Sequence, residues 1–89
     1  MIIKKVEIER KTKFKIYNKH GIKFNEVEQA LNSKNKFVKK TKDEKYVAFT
    51  KTSRHLTIVF SITKGIATII AAYPSSRWQI DLLKRRTQK

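Results

Sequence analysis

The clearest pattern in the chain is an alternation. From His55 to Ile62, Leu56, Ile58, Phe60 and Ile62 fall on one side, and His55, Thr57, Val59 and Ser61 on the other. That period of two marks a strand with one buried face. Residues 66–73, IATIIAAY, are apolar on both sides, as a central strand covered on both faces would be. Residues 46–51 place Val47 and Phe49 together, and the short, lysine-rich 36–40 has the character of an edge strand. Thr52-Ser53-Arg54 and Thr63-Lys64-Gly65 are hairpin-sized connections. These four segments predict an antiparallel meander.

Helical spacing frames the meander. Residues 2–8, IIKKVEI, read as a short strand with Ile2, Val6 and Ile8 on one face. Residues 9–19 read as a helix, with Phe14 and Tyr17 three apart, and Gly21 stands where a left-handed cap would end it. Phe24, Val27 and Leu31 then form an amphipathic stripe. Ile22 and Val27 have the spacing of a hydrophobic staple, and Glu26 stands at the third helical position. The cap itself falls on Lys23, which accepts no hydrogen bond and has the wrong charge for a helix start. At the other end, Ser76 and Gln79 make an S-x-x-Q capping box. They open a helix with Trp78, Ile80, Leu82 and Leu83 on its apolar side and Lys84, Arg85, Arg86 and Lys89 crowding its last turn. The order β-α-α-β-β-β-β-α predicts one α+β domain over residues 1–89: an antiparallel sheet of four to five strands with helices on one face.

Charge narrows the function. Against seven acidic residues stand 22 basic ones, a net charge of +15. Such an imbalance points to a polyanion, with nucleic acid first, because binding phosphates releases counterions. An acidic protein that covers a basic face would fit as well. The absence of cysteine excludes a disulfide scaffold and a thiolate nucleophile. Two histidines among few carboxylates argue against a dedicated metal site, and no cofactor is implied. No apolar run has membrane-spanning length and no signal peptide is visible, so a cytoplasmic protein is expected.

Three stretches, KHGIKFNEVEQAL (19–31), YVAFTKTSRHLTIVFSI (46–62) and IATIIAAYP (66–74), resemble small toxins of the RelE superfamily, BrnT-like ones in particular. Such chains often carry a Lys-His-Gly turn between two helices and a strand that ends in Ala-Arg-Pro. Here Tyr73 stands where that arginine is common, and Lys23 where a Ser or Thr cap is usual. The resemblance implies a RelE-like fold and the toxin of a type II toxin–antitoxin pair, a metal-independent endonuclease of mRNA, on or off the ribosome. It also implies an acidic antitoxin that blocks the toxin and joins it in a DNA-binding complex.

Metal-free RNA cleavage needs a base for the 2′-hydroxyl, an acid for the leaving 5′-oxygen and cations for the phosphorane charge. Tyr73 ends the central strand where small neighbours leave room for a ligand, though the same position would suit the rim of the core. His20 and His55 are the imidazoles. His20 reads first as a packed helix-end residue and second as a catalytic one, and His55 equally as an exposed hairpin residue. Arg54 offers a guanidinium fork for phosphate, and Arg77 a cation beside exposed helix-start amides; either could instead be a solvated arginine. Lys19, Lys51, Lys84, Arg85 and Arg86 are the candidate nucleic-acid contacts. In the stretch AAYPSSRW (71–78), Pro74 ends the strand, Ser75 and Ser76 are expected as caps, and Trp78 as core rather than a stacking platform. The rival reading is a non-catalytic RNA- or DNA-binding module; a structural subunit of a ribonucleoprotein is a third.

Overall fold

The computed structural model describes residues 3–87. Its elements follow the predicted order: β1 (Lys5–Ile8), α1 (Arg10–His20), α2 (Phe24–Asn32), β2 (Lys36–Lys40), β3 (Tyr46–Lys51), β4 (His55–Thr63), β5 (Ile66–Pro74) and α3 (Arg77–Thr87). Ile2 and Lys89, assigned above to the first strand and the last helical turn, lie outside the described residues. The five strands make one sheet in the order β1-β5-β4-β3-β2. β2 to β5 form the expected antiparallel meander. β4 turns into β5 through Lys64 and Gly65, both at positive φ, the pair of conformations that matches strand twist in a two-residue hairpin.

Two features depart from the sequence reading. β1 is parallel to β5, from Lys5 opposite Ile66 to Ile8 opposite Ile69. The intervening helices and meander bring the chain round to the same direction, and β1 covers one edge of the apolar β5. The helices also lie on both faces rather than one. Ala48, Leu56, Ile58 and Phe60 pack with Ile16 of α1 and Val27, Ala30 and Leu31 of α2 in a single core. The alternate residues Phe49 and Thr57 point the other way and meet Trp78 and Gln79 of α3. α3 is drawn to that second face because the strands there present Phe37 and Phe49, stacked at 6.2 Å.

Local chemistry explains the joints. Gly21, at φ 66°, ends α1 in the left-handed region and its N–H is bonded to the Tyr17 carbonyl at 2.8 Å. The α2 staple forms, with Ile22 and Val27 buried, while Lys23 at the cap makes no side-chain bond. The Lys36 ammonium reaches back to the Leu31 carbonyl, a cation at the carbonyl end of α2. Phe14 and Tyr17, read as helical neighbours, are both exposed. Trp78 is not core: it is 62% exposed and touches Phe49 edge-on. A register shift between Val59 and Phe60 pushes Ile70 out of the β5 ladder and exposes it, as a bulge does.

Candidate active site

β1 accompanies β5 only as far as Ile69. Beyond the bulge, residues 70–73 have β4 on one side and α1 across the other. The gap is a cleft of about 280 Å³. α1 lines it with Lys11, Thr12, Lys15, Ile16, Lys19 and His20, and β5 with Ile70 to Tyr73. Lys11, Lys15 and Lys19 recur at i, i+4 and i+8, so the helix aims three ammoniums along one face. No carboxylate lines the cleft. Ala71 and Ala72 keep its floor low beside Tyr73.

An imidazole and a phenol lie near each other at its end. The His20 and Tyr73 rings have centroids 6.5 Å apart, inclined at 51°. His20 comes there because Gly21 stops α1 at the residue after it. Tyr73 is held from behind. Gln79, 5% exposed, accepts at its amide oxygen from the Ser76 N–H at 2.8 Å and the Thr57 hydroxyl at 3.0 Å. A backbone N–H can only donate, so the amide is oriented with its nitrogen toward the Tyr73 oxygen, 3.5 Å away. The phenol oxygen therefore accepts from Gln79 and keeps its own proton free for the cleft. Ser75 extends the chain by meeting the Thr57 hydroxyl at 2.8 Å. Ser76 and Gln79 make the side-chain-to-backbone half of the predicted capping box.

The sequence-predicted residues divide into groups. Tyr73, His20 and Lys19 come together in the cleft. Arg54 does not face it with a free fork: Nε and Nη2 donate to the two Glu26 carboxylate oxygens at 2.6 and 2.8 Å, and Nη2 reaches the Gly21 carbonyl at 3.3 Å. As placed, it clamps the turn that carries His20. That bond holds the Glu26 carboxyl below its usual range, burial acting the other way, and the nearby guanidinium charge adds to the lowering. His55 pairs with Lys51 at the far hairpin, with Nδ1 buried and unpartnered. Burial first, then the Lys51 and Lys84 ammoniums, push its pKa down. Arg77 is exposed at the start of α3; Arg85 and Arg86 line a shallow recess with Leu82 at its other end. Sequence reasoning missed Lys11, Lys15 and Gln79. The lysine spacing was a readable signal, lost among so many other lysines, whereas Gln79 looked like a cap and nothing more.

No group of described residues could hold a metal ion, and no described helix is long and apolar enough to cross a membrane. The described residues form a mixed sheet with two helices before its meander and a basic helix after it. A solved structure of similar fold is that of the Brucella abortus ribonuclease toxin BrnT. It matches with a TM-score of 0.67 and 18% identity, over 82% of this chain and 97% of that one. The chain thus shares the BrnT fold. No protein-family model matches it, and no curated protein does.

Proposed function

We propose that the protein is the toxin of a type II toxin–antitoxin pair and cleaves RNA without a metal ion. The observation that carries this reading is the meeting of His20 and Tyr73 in a cleft lined by three lysines. The BrnT-like fold and the net charge of +15 support it. In this mechanism Lys11, Lys15 and Lys19 hold the scissile phosphate. His20 takes the 2′-hydroxyl proton as the 2′-oxygen attacks phosphorus. Tyr73 gives its proton to the 5′-oxygen as the P–O5′ bond breaks, and the Gln79 amide stabilises the phenolate left behind. The products are a 2′,3′-cyclic phosphate and a 5′-hydroxyl, and the proton returns from imidazolium to phenolate through solvent. A short acidic partner, made from the same locus, would cover the basic cleft in the resting cell, and the site of action is the cytoplasm.

Expression alone and with the neighbouring gene, scored for growth and RNA integrity, tests this reading. Tyr73→Phe removes one oxygen and should slow cleavage by about 10²–10⁴-fold with the melting curve unchanged. EDTA should leave the wild type active. The small number of acid–base groups at the cleft, with His55 away at the far hairpin, favours the rival reading, a non-catalytic RNA- or DNA-binding module. Purified protein that binds RNA and leaves it whole would establish that rival.

A further inference from the structure

Trp78 is the chain's one tryptophan, and it sits where a tryptophan gains little from burial. It is 62% exposed on the α3 face. Its ring is nonetheless held. It meets the buried Phe49 edge-on at 5.9 Å, Phe49 stacks on Phe37, and the Arg86 guanidinium lies 5.1 Å above Phe37. A row of three aromatic rings is therefore anchored at its buried middle member, Phe49, and open at Trp78. A ring already held in place can take a ligand on its open face at little ordering cost. Its surroundings select an anionic ligand: Arg77 precedes the ring, and Lys84, Arg85 and Arg86 follow on the same helix, against the single acid Asp81. Trp78 does not itself line the candidate cleft, but its helix reaches it. Trp78 is the residue before Gln79, whose amide meets the Tyr73 hydroxyl.

We propose that Trp78 is a base-stacking platform for single-stranded RNA, which takes a nucleobase a few nucleotides from the phosphate held at Tyr73. The proposal deepens the ribonuclease reading and shares its substrate. Stacking needs no contact with base edges, because every base has a π-face. The arginines of α3 would meet the flanking phosphates, giving the strand a direction across the α3 side of the sheet.

Because the chain has one tryptophan, its fluorescence reports on this position alone. The probe is a labelled 2′-O-methyl oligouridylate, which lacks the attacking hydroxyl and cannot be cleaved. At low salt, titration into the full chain should quench the tryptophan over the same concentrations that raise the label's anisotropy. Trp78→Leu should weaken binding by about 5- to 100-fold, with Trp78→Phe retaining most of it. Circular dichroism on both variants separates lost stacking from lost fold. Anisotropy that rises without quenching, or Trp78→Leu that binds like the wild type, overturns the platform. So does a tryptophan that responds to the acidic protein partner and not to the oligonucleotide. Quenching by the probe in a protein that never cleaves RNA would sink the ribonuclease reading and leave the platform standing.

Discussion

The two faces of the sheet are built differently. Under α2, Ile22, Val27, Ala30 and Leu31 close on Ala48, Leu56, Ile58 and Phe60, none more than 1% exposed. Under α3, Phe49 and Leu83 are buried beside the polar Thr57 and Gln79, and Trp78 is left in water. A chain of this size has limited apolar surface to bury. Concentrating it on one side frees the other for hydrogen bonds that aim side chains. The hydroxyl–amide chain from Ser75 through Thr57 and Gln79 to Tyr73 lies on that freer side. The cleft lies at the edge where the two sides meet.

The sharpest way to break this contrast is to cut equal volumes from both faces. Leu31→Ala should cost about 2–5 kcal/mol, because its close-packed neighbours cannot collapse into the void. Leu83→Ala should cost less, since polar and half-exposed groups beside it can readjust or admit water. Urea unfolding of both variants gives the comparison. Equal losses would mean that α3 is as much a part of the stability core as α2.

The next largest effect separates aiming from packing. Gln79→Leu keeps the volume and removes the acceptor used by Thr57 and the Ser76 N–H. The Thr57 hydroxyl keeps Ser75 as a partner, so loss of this buried acceptor should cost about 1–3 kcal/mol, nearer the lower figure. If Gln79 positions Tyr73, the variant should also lose kcat with KM nearly unchanged. A fall in stability with full kcat would confine Gln79 to the helix cap.

Much of this organisation was legible in the residues, and the losses have physical causes. The strand alternation in 55–62 and the hairpin at Lys64-Gly65 are local signals, and both hold. The β1–β5 pairing joins residues some sixty positions apart, Lys5 and Ile66 for example, and no short-range pattern encodes a parallel partner. The Arg54–Glu26 pair likewise spans two distant segments, so a fork read as free proved engaged. Trp78 misled because Trp78, Ile80, Leu82 and Leu83 read as one apolar stripe, whereas Gln79 and Leu83 are the buried residues of α3. Tyr73 and His20 were each visible as candidates; their proximity, at 6.5 Å, depends on where the α1 cap leaves the chain.

A smaller gain is available on the packed face. Lys23 has the extended backbone of a cap, φ −88° and ψ 154°, and its side chain accepts nothing from α2. Lys23→Ser supplies the missing acceptor and removes a cation from the positive end of the helix, which should stabilise by about 0.5–2 kcal/mol. A urea midpoint that does not rise would show that water already satisfies those amides.

The smallest expected effect is a pH dependence that assigns one titration to each side of the sheet. His55, whose register continues that of Thr57 on the α3 side, has a pKa lowered from 6.5 by burial and by the Lys51 and Lys84 charges. The unfolded chain therefore takes up that proton first. Stability is complete above about pH 6.5 and falls as the pH drops toward the lower folded value. Glu26, on α2, has a carboxyl held below 4.5 by its bond to Arg54. Its contribution is present above about pH 4.5 and is lost as the pH falls through the folded value. The Arg54 side chain is 41% exposed, so solvent screens the pair and the step should be shallow. Urea midpoints taken across both windows should show two declines. His55→Gln should remove the upper one alone, and Glu26→Gln the lower one alone. A wild type whose midpoint is flat from about pH 7.5 to 5.5 would mean that His55 titrates as it does in the unfolded chain. The α3 side would then be wetter at that hairpin than its buried, unpartnered Nδ1 indicates.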